Sequence, residues 1–121
     1  MNSFRDLIVW QKSHQLVLAS YKATNTYPKD ELYGLTSQIR RAVVSIAANI
    51  VEGYKRKTDK QTLQFLNISD ASLEEFKYLM LLSKDLEYIS SSTYKDKFNN
   101  SEEVGRLLSG FQKSFKNRLD S

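Results

Sequence analysis

The stretch that decides the fold is Leu35-Thr-Ser-Gln-Ile-Arg-Arg-Ala-Val-Val-Ser-Ile-Ala-Ala-Asn-Ile-Val-Glu-Gly-Tyr54. Its apolar positions are Leu35, Ile39, Ala42/Val43, Ile46, Ile50 and Tyr54, stepping by three and four residues throughout. That period puts them on one side of an α-helix and nowhere coherent on a strand. Thr36 is a reasonable N-cap for it. Gly53 and the basic run Lys55-Arg-Lys57 mark its end, where cations are stabilising beside unpaired carbonyls.

The same period extends outward in both directions. Upstream, Val9, Leu16, Ala23 and Tyr27, flanked by Trp10, Val17 and Tyr21, predict a helix from about Asp6 to Thr26, closed by Pro28, the one proline in the chain. Asp30 and Glu31 can open a short helical turn before Gly34. Downstream, Thr58 or Asp59 offers a cap, and no breaker follows until Ile89, so a third helix of about thirty residues is expected. Ser90-Ser-Ser-Thr93 is the next loop and capping cluster. A fourth helix carries Tyr94, Phe98, Ser101, Val104/Leu108, Phe111, Phe115 and Leu119, unless Asn99-Asn-Ser101 breaks it in two. Four amphipathic helices with short loops predict an all-α fold, an antiparallel up-down-up-down four-helix bundle, as a single domain over residues 1–121.

Composition removes whole classes of function. The chain of 121 residues has no cysteine and one histidine, His14, which excludes thiolate chemistry, disulfides and multi-histidine metal sites. Its four glycines stand singly, so no phosphate-cradling loop can form. No cofactor or metal is expected, and no enzyme. The apolar runs are short, Leu79-Met-Leu-Leu82 among the longest, far below the ~20 residues of a membrane span. The N-terminus lacks the layout of a secretory signal, which gives a cytoplasmic expectation.

Net charge is +4, and it is unevenly placed. Residues 1–57 carry nine Lys/Arg against four Asp/Glu, while residues 58–121 carry nine against ten. The basic half suits nucleic acid or an acidic protein. Lys55, Arg56, Lys57 and Lys60 crowd four cations into six residues beside Tyr54. Such a cluster can hold phosphates, with an aromatic neighbour for an unpaired base; it also serves simply as a helix C-cap.

Three further features bear on partners. On the third helix Phe65, Leu66, Ile68, Leu73, Phe76, Leu79, Met80, Leu82, Leu86 and Ile89 sweep roughly 200° of the wheel. Either this helix is the most buried of a monomer, or the surplus is an oligomer interface. Glu75 falls within that arc, where a buried carboxylate needs a partner, and Arg40 or Arg41 can supply one. The alternative, a general acid or base, lacks a second catalytic group. On the second helix Gln38, Arg41, Ser45, Asn49, Glu52 and Arg56 form a polar stripe, either solvated or a seam between subunits, with Glu52 and Arg56 an i,i+4 pair.

Phe4-Arg-Asp-Leu-Ile-Val-Trp10, Tyr27-Pro28, Tyr33-Gly-Leu-Thr-Ser-Gln-Ile-Arg-Arg-Ala42, Ser45-Ile-Ala-Ala-Asn-Ile-Val-Glu-Gly53 and Ser72-Leu-Glu-Glu-Phe76 follow one another in order. Together they resemble the "four helix bundle protein" family, the 23S ribosomal RNA intervening-sequence proteins. The resemblance implies a bundle that assembles into a homopentameric ring, with no established enzymatic activity. It also implies kinship with the accessory variability protein of diversity-generating retroelements, a basic pentamer that binds reverse transcriptase and nucleic acid. Asn49, Glu52 and Gly53 match the family's signature, and Arg41 and Glu75 its internal charges, which implies structural roles at subunit contacts. The resulting expectation is a non-catalytic homo-oligomer that binds structured RNA through Arg40, Arg41, Lys55, Arg56, Lys57 and Lys60. The rival expectation is a scaffold for an unidentified protein.

Overall fold

The computed structural model describes residues 3–121. Its four long helices are α1 (Ile8–Thr24), α2 (Leu35–Tyr54), α3 (Asp59–Asp85) and α4 (Ser91–Asp120). α1 packs on α2 and α4, and α3 packs on the same two, so the helices form an antiparallel up-down-up-down bundle, with no strand among the described residues. The core threads all four: Leu16 from α1, Ile39, Ile46 and Ile50 from α2, Leu66, Leu73 and Phe76 from α3, and Val104 and Leu108 from α4.

α2 and α3 share the most extensive contact, and hydroxyl groups set it. The Thr62 hydroxyl donates to the Gly53 carbonyl at 2.8 Å. Seven residues further along α3, the Ser69 hydroxyl donates to the Ile46 carbonyl at 2.7 Å. Side chain and main chain approach this closely because Gly53 has no Cβ. A methyl there would come 3.2 Å from the Thr62 carbonyl oxygen and 3.3 Å from the Phe65 Cβ. Elsewhere buried hydroxyls bond within their own helix: Ser13, Ser20 and Ser83 each donate to the carbonyl four residues back, at 2.7, 2.7 and 2.8 Å. They fill core positions as small residues without leaving a donor unpaired.

Helix boundaries depart from the sequence expectation for local reasons. α1 begins at Ile8 because Leu7 is extended, behind a 3-10 turn at Phe4–Asp6. Thr36 is not the N-cap of α2. That position falls to Gly34, and Thr36 is buried. The Glu31 carboxylate caps instead, accepting the Leu35 N–H at 3.1 Å, and Gly34 leaves room for it. Glu31 also accepts the Tyr88 hydroxyl at 2.9 Å, which raises the Tyr88 pKa and ties the α1–α2 loop to the α3–α4 loop. α4 runs unbroken through Asn99-Asn-Ser101, with Ser101 buried and its hydroxyl on the Lys97 carbonyl at 2.7 Å.

α3 stops at Asp85, short of Ile89. Glu87 adopts a left-handed φ of 64°, the Glu87 N–H bonds the Lys84 carbonyl, and the Tyr88 N–H bonds the Ser83 carbonyl, both at 2.9 Å. This is a Schellman ending with glutamate where glycine is usual.

Two stability predictions follow from this packing. Gly53→Val wedges a branched side chain into the α2–α3 contact and lowers the unfolding free energy by about 2 kcal/mol in urea titrations. Glu87→Gly removes the left-handed strain and raises it by about 1 kcal/mol. Wild-type stability in the first variant would show that α2 and α3 separate freely, and a loss in the second would show that Glu87 makes a compensating contact.

Candidate nucleic-acid interface

The up-down topology brings the C-terminal end of α4 to the loop between α2 and α3. The link is a 2.9 Å ion pair from Arg118 to Asp59, which lies at the start of α3. Arg118 also lies over the Phe115 ring at 4.4 Å, and Phe115 meets Phe111 edge-on at 5.1 Å. A pocket of about 270 Å³ opens at this end, with Leu7, Gly53, Phe111 and Phe115 in its walls and Arg56 and Lys57 at its side. Thr58 caps α3, accepting the Gln61 N–H at 3.2 Å, and thereby holds the cationic loop in a short turn.

Seven cations therefore crowd one end of the bundle: Lys55, Arg56, Lys57 and Lys60 with Lys113, Lys116 and Arg118, every one exposed. Nearby carboxylates are fewer, and Glu52 and Asp59 are engaged by Arg56 and Arg118. Arg56 donates to the Glu52 carboxylate at 3.3 Å and lies over the Phe65 ring at 5.1 Å. The antiparallel arrangement sets two helix N-termini beside two C-termini here, so the helix dipoles largely cancel and the positive field comes from side chains.

The six residues expected to bind phosphate do not form one surface. Arg40 and Arg41 lie at the other end of α2; Arg41 and Lys55 are fourteen residues apart, about 21 Å along the helix. The four that cluster are Lys55, Arg56, Lys57 and Lys60. Sequence reasoning missed Lys113, Lys116 and Arg118. Their signal was legible, because an up-down bundle must return the end of its fourth helix to the loop after its second.

The expected interface residues take varied positions. Gly53 is buried at the α2–α3 contact. Asn49 is half-buried and donates to the Ser45 carbonyl at 2.8 Å, while the Ser45 and Ser72 hydroxyls share a 2.8 Å hydrogen bond across α2 and α3. Glu52 is exposed. For Glu75 the expectation of a buried carboxylate is corrected: its side chain is exposed and forms no ion pair with Arg40 or Arg41. Arg40 instead donates to Thr24 at 3.0 Å and Asn25 at 3.1 Å. The surplus apolar arc of α3 also shrinks, because the core absorbs Leu66, Leu73, Phe76, Leu79 and Met80; Ile68 and Leu86 remain 49 % and 45 % exposed.

Among the described residues no group of three or more His, Asp or Glu side chains converges to hold a metal. No helix among them is long and apolar enough to cross a membrane. Displaced pKa values fall on structural groups. Burial opposes the charge on Lys77, but hydrogen bonds and charges from Glu74 and Glu102 outweigh it and raise its pKa. Burial raises the Tyr27 phenol.

The model of the 23S rRNA-intervening sequence proteins matches residues 5–110 of the chain. The chain belongs to that family. Its matched span covers α1, α2, α3 and most of α4, and ends before Lys113, Lys116 and Arg118. A protein of unknown function from the S23 ribosomal protein family of Bacteroides thetaiotaomicron VPI-5482 has a similar crystal structure. The two share 26 % identity with a TM-score of 0.81, over 88 % of this chain and 96 % of that one. No curated protein matches this family member.

Proposed function

We propose that this family member is a non-catalytic, homo-oligomeric bundle of the cytoplasm that binds nucleic acid, structured RNA first, through the basic end. The observation that carries this reading is the convergence of seven exposed cations from two distant segments onto one end of a small domain. Clustered lysines and arginines release counterions when they engage phosphates, which is the main source of affinity in such complexes. The family's name points to a ribosomal RNA context and supports RNA as the first ligand to try.

Self-association supports the reading in two ways. α3 keeps Ile68 exposed one helical turn from Ser72, whose hydroxyl shares a hydrogen bond with Ser45 of α2, a mixed apolar and polar surface suited to a subunit contact. Asn49, Glu52, Gly53 and Glu75 belong to the same pair of helices. A pentamer, which the family resemblance implies, repeats the basic end five times, and linked weak contacts gain orders of magnitude in avidity.

Anisotropy titrations of labelled structured RNA, single-stranded DNA and duplex DNA at several salt concentrations test the proposal. Binding should weaken along a linear log–log slope of ~0.9 per phosphate contact on duplex and ~0.7 on single strands. Replacing Lys55, Arg56 and Lys57 together by glutamate should cost about tenfold or more in affinity and flatten that slope. Flat traces at low salt with folded protein would overturn the proposal in favour of a protein-binding scaffold.

A further inference from the structure

A shallow groove of about 580 Å³ lies on the α1–α2 side of the bundle, at the end opposite the lysine-rich loop. Its principal walls are Tyr21, Leu32, Tyr33, Arg40, Arg41 and Val44, and no carboxylate lines it. Tyr33 is 94 % exposed, a planar aromatic face held in water with nothing packed on it. Leaving that much aromatic surface wet forfeits burial energy, so its place at the mouth of a cationic groove is informative.

The two arginines differ in a way that matters for recognition. Arg40 is half-buried and fixed: its Nε donates to the Thr24 hydroxyl at 3.0 Å, its Nη2 to the Asn25 side-chain oxygen at 3.1 Å, and its guanidinium lies 4.7 Å from the centre of the Tyr21 ring. All these partners are neutral, so the charge is oriented but not compensated. Arg41 is exposed and forms no ion pair among the described residues. Arg56 and Arg118, by contrast, are each bound to a carboxylate. Glu31, the acid nearest Tyr33 in sequence, does not line the groove. It spends one oxygen on the Leu35 N–H and the other on the Tyr88 hydroxyl.

A fixed guanidinium, a free one and an uncovered aromatic ring in one groove match a ligand that combines a planar π-system with an anion. We infer that this groove takes one unpaired nucleotide of a single-stranded segment, its base on Tyr33 and its phosphate at Arg40 and Arg41. A bare carboxylate or an acidic peptide would use the arginines and leave the Tyr33 face unexplained. The inference rests on the nucleic-acid reading above and specifies it: phosphate attraction at the lysine-rich end, base stacking at this one. Stacking on an aromatic ring tolerates any base, so the groove discriminates unpaired from paired strands rather than one sequence from another.

The test uses a single-stranded oligoribonucleotide carrying one 5-iodouridine, photocrosslinked to the full chain and mapped by peptide mass spectrometry. Crosslinking at Tyr33 is expected, with Tyr33→Phe retaining both crosslink and affinity. Tyr33→Ala should lose the crosslink and about tenfold in affinity for the single strand, with little change for a blunt duplex. Tyr33 is on the surface, so both variants should fold, which circular dichroism checks. Crosslinks confined to residues 55–60, with Tyr33→Ala binding like the wild type, would overturn the groove and leave the basic end standing. Absence of any binding would overturn both. Occupation of the groove by an acidic peptide, with no effect of the oligonucleotide on it, would overturn the inference in favour of a protein ligand.

Discussion

The rest of the structure depends on the contact between Gly53 of α2 and Thr62 of α3. A hydroxyl from one helix bonds a main-chain carbonyl of the other there, and the same arrangement repeats one heptad on, from Ser69 to Ile46. Two such bonds seven residues apart on both helices fix their relative height. A slip of one turn would take both hydroxyls off these carbonyls, and a buried hydroxyl left unpaired costs roughly 1–3 kcal/mol. Register in a bundle of alternating leucines and isoleucines is otherwise weakly specified, so these hydroxyls do more to define the fold than their number suggests.

That constraint determines where the charges go. Because α2 and α3 are in contact up to Gly53, the chain must reverse within a few residues, and Lys55, Arg56 and Lys57 are forced into a tight, exposed turn. The up-down topology then returns α4 to the same end, where Arg118 clasps Asp59. At the opposite end the loops are bound through Glu31, which caps α2 and receives Tyr88. One end is thus rich in exposed cations, while the other presents a groove in which Arg40 is held by neutral partners.

Much of this was legible in the sequence. The three-and-four period placed all four helices, Thr58 and Ser90 announced their capping role, and the Glu52–Arg56 pair followed from spacing alone. The expectation for Glu75 fails because hydroxyl side chains take core positions on α3. A helical wheel counts Ser and Thr as polar, yet Thr62, Ser69 and Ser83 are buried because each hydroxyl finds a carbonyl. They move the centre of the α3 core away from the middle of its apolar arc, and Glu75, which looked buried, comes out on the surface. Thr36 was misread differently, since a carboxylate five residues earlier in the chain took the capping role. The convergence of Lys55–Lys60 with Lys113–Arg118 needed topology as well as pattern, and Tyr33 beside Arg40 and Arg41 needed coordinates.

Lysine-reactivity footprinting, read by mass spectrometry with and without a blunt-ended RNA duplex, which offers the Tyr33 groove no unpaired nucleotide, tests the basic end most directly, because it locates contacts independently of affinity. Protection is expected at Lys55, Lys57, Lys60, Lys113 and Lys116, with Lys22, Lys29, Lys84 and Lys95 left as reactive as in the free protein. Equal protection along the whole bundle, or protection confined to the second set, would contradict a nucleic-acid interface built at the Gly53 end.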